Sequence, residues 1–211
     1  MPTSERPDVR ILVADDHFIV RMGLVALINT EPHLKVVCEA DDGVQVVALF
    51  EKMRPDLVLM DSRMPLKSGP EATREIRQLV PDARVLMLSA FDGDEDIHAA
   101  LDAGALGYVL KSATGKELIP EILAVASGKR WIPLGVAARL KSRNLYEELT
   151  AREIDVLNAL ALGLANKEIA EKLGISEYTA KDHLKNILAK LRVADRTQAV
   201  TSAVQRGLIY L

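Results

Sequence analysis

Four short apolar runs of this chain each end in side chains that could move a phosphoryl group. The runs end in the pair Asp15-Asp16, in Asp61, in Ser89 and in Lys111. In open parallel α/β sheets, ligands bind beyond the carboxyl ends of the strands, at the point where the strand order reverses. If the first and third strands are neighbours, three carboxylates converge there, and a divalent cation is needed to neutralise them. The spacing therefore predicts a cation-dependent site that transfers a phosphoryl group onto an aspartate.

The first part of the chain alternates short β-branched runs with helical patterns, which is typical of βαβ units and a parallel sheet. Strands are predicted near residues 9–14, 35–39, 57–60, 84–88 and 107–110. Helices are predicted after Asp16 and near residues 43–53, 68–79, 94–103 and 114–127. Five strand–helix units of this size predict a doubly wound, flavodoxin-like α/β domain with a five-stranded parallel sheet, which we place at residues 8–127.

A second domain is predicted where the strand-like runs end. Four helical segments are predicted near residues 151–162, 166–173, 177–191 and 197–207. The short gap between the second and third segments is a helix-turn-helix signal, and Ser176 is a suitable N-cap for the helix that follows it. Residues 147–211 are therefore predicted to form a small all-α helix-turn-helix domain.

Charge is distributed unevenly along the chain. Of the net charge of −3, residues 1–127 contribute −8 and residues 147–211 contribute zero, whereas residues 128–146 contribute +5. Because Trp131, Pro133 and Gly135 also interrupt the helical pattern in this basic stretch, residues 128–146 are predicted to be a linker, with room for a short helix around 134–142. The contrast in charge favours two units with separate tasks.

The single cysteine and the distribution of apolar residues indicate the cellular setting. Cys38 has no second cysteine with which to pair, so an internal disulfide is impossible and a reduced setting is expected. No apolar run approaches the ~20 residues that a membrane helix needs, and the N-terminal residues lack an apolar signal region. We therefore expect a cytoplasmic protein with no membrane partner.

Two ordered sets of motifs are similar to those of a known family. The first set consists of Asp15-Asp16, Asp61 with Met64-Pro65 and Gly69, Ser89-Ala90, and Tyr108 with Lys111. The second set consists of Leu149-Thr150-Ala151-Arg152-Glu153, Asn166-Lys167-Glu168-Ile169-Ala170, the stretch 176–183, Lys190-Leu191, and Arg196-Thr197-Gln198-Ala199. On these motifs the chain resembles a two-component response regulator of the NarL/LuxR type, a phosphorylatable receiver followed by a DNA-binding output domain.

The resemblance implies an acceptor and a metal site in the receiver. Asp61 would accept the phosphoryl group from a partner sensor histidine kinase. Asp16, Asp61 and the backbone carbonyl of Arg63 would bind Mg²⁺, and Asp15 would act through water. A carboxylate is a weak nucleophile, so positioning and charge neutralisation must supply most of the catalysis.

Three further residues would respond to the phosphoryl group. Lys111 would offset its charge, and the Ser89 hydroxyl would donate a hydrogen bond to one of its oxygens. By resemblance, Tyr108 would be the switch aromatic that turns inward once Ser89 is drawn toward the phosphoryl group, with small Ala90 leaving room. Taken singly, a lysine or serine at a strand end is usually solvated, and the alternative for Tyr108 is an exposed interface tyrosine.

The helix that starts at Glu177 carries the expected DNA-reading face. An apolar stripe at helical spacing is predicted to face the core and contains Ala180, Leu184, Ile187, Leu188 and Leu191. The outward face then carries Tyr178, Lys181, Asp182 and Lys185. The resemblance implies that base edges are read by Lys181, Asp182 and Lys185, and that phosphates are contacted by Thr179, Asn166 and Lys167. The alternative, which the zero net charge of this domain favours, is an amphipathic helix with a solvated charged face.

These expectations add up to a transcriptional regulator and not to an enzyme. The family uses its last helix for dimerisation, so a homodimer formed on phosphorylation and bound to inverted-repeat double-stranded DNA is expected. A dinucleotide site would need a glycine-rich turn after the first strand, where Asp15-Asp16 lies instead. The nearest alternative is an aspartate-nucleophile phosphatase, which would need a second aspartate two residues after Asp61, where Arg63 lies.

Overall fold

The protein is described by a computed structural model that covers residues 8–90, 93–132 and 149–209. Its strands are β1 Val9–Ala14, β2 Leu34–Ala40, β3 Leu57–Asp61, β4 Val85–Ser89 and β5 Gly107–Leu110. The helices that alternate with them are α1 Phe18–Ile28, α2 Gly43–Met53, α3 Gly69–Leu79, α4 Asp94–Asp102 and α5 Gly115–Ala126. Four helices follow: α6 Ala151–Ala161, α7 Asn166–Leu173, α8 Glu177–Leu191 and α9 Arg196–Gln205.

The fold class predicted from the sequence is confirmed, and the elements end within one or two residues of the predicted positions. The predicted short helix around 134–142 and most of the predicted linker lie outside the described residues. In the described ranges, no helix has the length and apolar character that a membrane crossing requires. The chain divides into two compact units, a sheet domain and a helical domain, and each is described by itself.

The sheet domain is a five-stranded parallel sheet with the order β2-β1-β3-β4-β5. β1 and β3 are neighbours, so the strand order reverses between them, as the sequence analysis required. β3 and β4 are buried along their whole lengths, which explains why they appear in the sequence as continuous apolar runs and not as alternating ones. The register places Ala14 beside Met60 and Ser89 beside Leu110, so the polar residues that follow these strands meet at one edge.

The two helices that follow Asp61 and Lys111 start with side chains that accept unpaired backbone N–H groups. Ser68 and Glu71 form a capping box at the start of α3, and Thr114 and Glu117 form another at the start of α5. α3 follows Asp61 through a short loop, and α5 follows Lys111. These caps therefore fix the points at which the chain leaves the polar edge of the sheet.

The helical domain packs α6, α7, α8 and α9 around one apolar core that includes Val156, Leu160, Ile187 and Ala199. α7 ends at Gly174, whose φ of 64° lies in the left-handed region that glycine adopts without strain. Two residues later, Ser176 caps α8 by accepting a hydrogen bond from the backbone N–H of Thr179 at 3.0 Å. This tight turn between α7 and α8 is the predicted helix-turn-helix.

Candidate functional site

The polar edge of the sheet holds a buried ion cluster. The Lys111 ammonium lies 2.7 Å from a carboxylate oxygen of Asp15 and 2.8 Å from one of Asp61. Asp15 follows β1, Asp61 ends β3 and Lys111 follows β5, so three strands deliver these groups to one point. Asp15 is fully buried and Asp61 is 4% exposed. Sequence reasoning predicted that these three residues would converge, and the geometry brings them into direct contact.

The cluster has an unusual charge balance. Burial raises the pKa of Asp61 to about 6, although hydrogen bonding and charge attraction from Lys111 act in the opposite direction. Burial by itself lowers the pKa of Lys111, but its hydrogen bonds to Asp15 and Asp61 outweigh this and hold that pKa above its ordinary value. The single ammonium of Lys111 is thus paired with two buried carboxylates. The cluster therefore carries more negative than positive charge and is short of positive charge.

Asp16 and His17 complete the cluster on its solvent side. Side-chain atoms that could bind a metal, from Asp15, Asp16, His17 and Asp61, all lie within 4.8 Å of one another. His17 Nδ1 lies 2.7 Å from an oxygen of Asp16, and the backbone N–H of His17 donates to Asp15 at 2.9 Å. Sequence reasoning gave His17 no part in the site. Its position directly after the carboxylate pair was the available signal.

The loop after β3 shapes the acceptor position. The backbone N–H of Arg63 donates a hydrogen bond to the Asp61 carboxylate. At position 69, a Cβ atom would overlap the carbonyl oxygen of Asp61, so only glycine allows α3 to start so close to the acceptor. This overlap gives a physical reason for Gly69 in the sequence motif.

Ser89 lies on β4, which is next to the acceptor strand β3, and Tyr108 lies on β5, one strand further from it. Ser89 ends β4, where it is buried, and its carbonyl oxygen accepts the backbone N–H of Lys111 at 2.7 Å. Tyr108 lies in β5 and its side chain is fully buried. Tyr108 is therefore not the exposed tyrosine of the alternative, whereas its turn on phosphorylation stays a prediction. Ala90, which follows Ser89, is exposed.

The helical domain presents a second candidate surface on α8. Ala180, Ile187 and Leu191 are buried in the core, as the predicted stripe requires. The residues exposed on the opposite side are Tyr178, Lys181, Asp182 and Lys185, with Tyr178 at 80%. The outward face predicted from the sequence is thus the face that the structure leaves open.

Three details of this surface were missed from the sequence. The Lys181 ammonium lies 2.8 Å from Glu177 one turn earlier, so this lysine is paired and not free. Thr179 is half-buried, and its hydroxyl lies 2.8 Å from that of Ser176. On α7, Lys167 is exposed, whereas the carboxamide oxygen of Asn166 is buried without a hydrogen-bond partner among the described residues.

Together, the fold and the two surfaces define a regulatory protein in which an acidic α/β domain precedes a helix-turn-helix domain. The chain matches the family described as "Response regulator receiver domain" over residues 11–123 and the family "Bacterial regulatory proteins, luxR family" over residues 147–203. The chain therefore belongs to the two-component response regulators that carry a luxR-type DNA-binding domain, and it is a DNA-binding transcriptional regulator.

Relatives and solved structures are similar over nearly the whole chain. The uncharacterized transcriptional regulatory protein YxjL of Bacillus subtilis is 39% identical, with 95% of this chain and 97% of the relative covered. The response regulator ChrA of a heme-sensing two-component system is 38% identical, with 97% and 100% covered and a TM-score of 0.59. A structure of two RcsB dimers bound to two parallel DNAs is 25% identical, with 94% and 98% covered and a TM-score of 0.65.

Proposed function

We propose that Asp61 is the phosphoacceptor through which a sensor histidine kinase controls DNA binding by this regulator. The contact of Lys111 with both Asp61 and Asp15, in a cluster that is short of positive charge, carries the proposal. A carboxylate oxygen of Asp61 would attack phosphorus as the bond to the kinase histidine breaks. Lys111 would then balance charge on the transferred group, and the Ser89 hydroxyl would donate a hydrogen bond to one of its oxygens.

The donor set fits Mg²⁺. The carboxylates of Asp15, Asp16 and Asp61 lie close together, and hard cations prefer such oxygen ligands. We assign Asp16, Asp61 and the carbonyl of Arg63 as its protein ligands, with Asp15 acting through water. When bound, Mg²⁺ would supply the positive charge that Lys111 alone does not provide. To bind Mg²⁺, the Asp16 carboxylate would have to weaken or give up its contact with His17.

A small phosphodonor with Mg²⁺ is expected to add one phosphoryl group per chain, because only Asp61 of the cluster is assigned as the acceptor. Intact-mass measurement before and after incubation tests this, and Asp61→Asn should abolish the gain. A chelator should prevent labelling of the wild type. Persistent labelling of Asp61→Asn would contradict the assignment. A phosphatase would hydrolyse a generic phosphate ester repeatedly, whereas a non-enzymatic regulator should take one group and stop.

The assembly follows from the same proposal. We place the receiver at residues 8–127, the linker at 128–146 and the DNA-binding domain at 147–211. We also propose that phosphorylation leads to a homodimer of this chain on inverted-repeat double-stranded DNA. The RcsB structure supports the dimer on DNA, because that relative binds DNA as dimers. The cytoplasmic location expected from the sequence stays a prediction.

The α8 surface is proposed to read DNA. Lys181→Ala and Lys185→Ala are each expected to weaken binding to a selected DNA site by about 1–3 kcal/mol, since a bidentate contact to guanine contributes that much discrimination. Lys172→Ala is the matched control, because Lys172 is also exposed but lies in the last turn of α7. Titration of each variant against selected and random DNA measures the effect.

The comparison with random DNA separates base contacts from phosphate contacts. A loss confined to the selected site indicates that the substituted residue, Lys181 or Lys185, reads bases. An equal loss on random DNA would instead assign the lysines to phosphate contacts, as proposed for Thr179, Asn166 and Lys167. Unchanged binding in both lysine variants would mean that α8 is not the reading helix.

A further inference from the structure

The chain turns back on the sheet domain directly after α5. Gly128 has a φ of 83°, its backbone N–H donates to Val125 at 2.8 Å, and the backbone N–H of Lys129 donates to Ala124 at 3.0 Å. This pair of hydrogen bonds closes the helix end as a Schellman motif, which reverses the chain direction. The reversal brings Trp131 beside β5.

Trp131 pairs with the open edge of the sheet. β5 is an edge strand, and such strands leave a row of backbone groups without partners. The backbone N–H of Trp131 donates to Leu106 at 2.9 Å, and its carbonyl oxygen accepts the backbone N–H of Tyr108 at 3.3 Å. Between these two bonds, a Cβ atom on Gly107 would lie 2.7 Å from a Leu86 methyl group and 3.0 Å from the Trp131 oxygen, so glycine suits this crowded position.

The Trp131 side chain is held by a second, independent contact. Its indole donates a hydrogen bond to Glu121 of α5, and that glutamate is only 7% exposed. The other oxygen of Glu121, Oε2, is buried and has no hydrogen-bond partner within the described parts of the chain. A buried carboxylate that accepts so few hydrogen bonds loses much if the indole leaves, so this contact favours one position of the indole.

We infer that Trp131 is a positioning residue that couples Tyr108 to the chain leaving the receiver, so that phosphorylation of Asp61 changes the environment of the Trp131 indole. The inference rests on the proposed function of Asp61. The bond to Tyr108, at 3.3 Å, is the longer of the two backbone bonds and just exceeds the usual range, so it is the one that a shift of β5 would break first. Trp131, which receives this shift, lies in the proposed linker at residues 128–146.

The protein contains its own reporter for this coupling. Trp131 is the only tryptophan of the chain, and at 38% exposure its indole lies at the boundary with solvent. Tryptophan emission of the full-length protein is therefore measured during incubation with a small phosphodonor and Mg²⁺, while intact mass is followed in parallel. Emission is expected to change at the rate at which mass increases, and Asp61→Asn should show neither change.

Two variants of Glu121 test whether the contact between Glu121 and the Trp131 indole is needed for the coupling. Glu121→Leu removes the acceptor while keeping a side chain of similar size, and is expected to lose most of the emission change while the mass gain remains. Glu121→Gln keeps an oxygen acceptor and is expected to retain the change. The change should also be independent of protein concentration, because a signal from dimerisation would grow with concentration.

The outcomes separate the inference from the proposed function. Full labelling of the wild type with constant emission would overturn the coupling and leave Asp61 as the acceptor. A full emission change in Glu121→Leu, or one that appears only at high protein concentration, would also overturn it. Absence of a mass gain in the wild type would overturn both.

Discussion

Lys190→Met is expected to lower the free energy of unfolding of the helical domain by about 3 kcal/mol, because it leaves a buried carboxylate without its cation. The Lys190 ammonium in α8 lies 2.7 Å from Glu153 in α6, and the exposed fractions of the two side chains are 19% and 5%. Glu153 also accepts hydrogen bonds from the backbone N–H and the hydroxyl of Thr150. Because these bonds remain in the variant, the expected loss of stability lies at the lower end of the range for breaking a buried ion pair.

The pH dependence of this loss follows from the pKa of Glu153. Burial by itself raises that pKa, but the hydrogen bonds from Lys190 and Thr150 outweigh it and hold the pKa below its ordinary value of 4.5. A carboxyl group with a lowered pKa stabilises the folded state above its unfolded pKa, and this stabilisation is lost as the pH falls through the folded value. The difference between wild type and Lys190→Met should therefore be complete at neutral pH and shrink below pH 4.5.

Denaturant titration followed by helical circular dichroism measures the effect, and α8 supplies a matched control. Lys181→Met removes the lysine of an exposed pair, so a much smaller loss of stability is expected because solvent screens the attraction. The double variant Glu153→Gln/Lys190→Met keeps the cap and removes the unpaired charge, so it should recover part of the loss. Equal effects of Lys181→Met and Lys190→Met would contradict the argument from burial.

The pair Glu153–Lys190 illustrates which features could not be predicted from the sequence. Both residues lie in motifs that the sequence analysis identified, yet 37 positions separate them and no local pattern indicates that they meet. Trp131 is a similar case, because a single residue that pairs with a strand edge produces neither a helical nor an alternating pattern. Contacts of this kind depend on how the elements pack, which no local pattern in the sequence indicates.

The elements themselves could be predicted because their signals are local. β3 and β4 are buried on both faces, so each is a continuous apolar run that stops where the first polar residue, Asp61 or Ser89, belongs to the site. Ser176 marks the start of α8 because its hydroxyl satisfies a backbone N–H. The convergence of Asp15, Asp61 and Lys111 then followed from the topology of parallel sheets.

Asp61→Asn is expected to stabilise the sheet domain by up to about 3 kcal/mol at neutral pH in a chelator, even though it removes a partner of Lys111. The pKa of Asp61 is raised from 3.8 to about 6, mainly because the carboxylate is buried. The folded protein thus binds this proton more tightly than the unfolded chain does. Stability of the wild type should fall as the pH rises from 3.8 toward 6, and the full deficit should be present above 6.

The amide that replaces the Asp61 carboxylate carries no charge, so the variant does not lose stability by burying one. Lys111 keeps its contact with Asp15 at 2.7 Å. Chemical denaturation in a chelator, above pH 6 and again below pH 3.8, measures the difference, which should vanish at the lower pH. Asp82→Asn is the control, because Asp82 is exposed and precedes β4 at the opposite end of the sheet.

Mg²⁺ gives the prediction a second test. A ligand that binds the folded state stabilises it by mass action, and the ion would supply the charge that the wild-type cluster lacks. Adding Mg²⁺ should therefore stabilise the wild type more than Asp61→Asn, which has lost a metal ligand. The difference in stability between the two proteins should become smaller or change sign. If Asp61→Asn is the less stable protein at neutral pH in the chelator, attraction from Lys111 outweighs the cost of burying the carboxylate. The acceptor would then be held in place by its ion pair, and the cluster would not be short of positive charge.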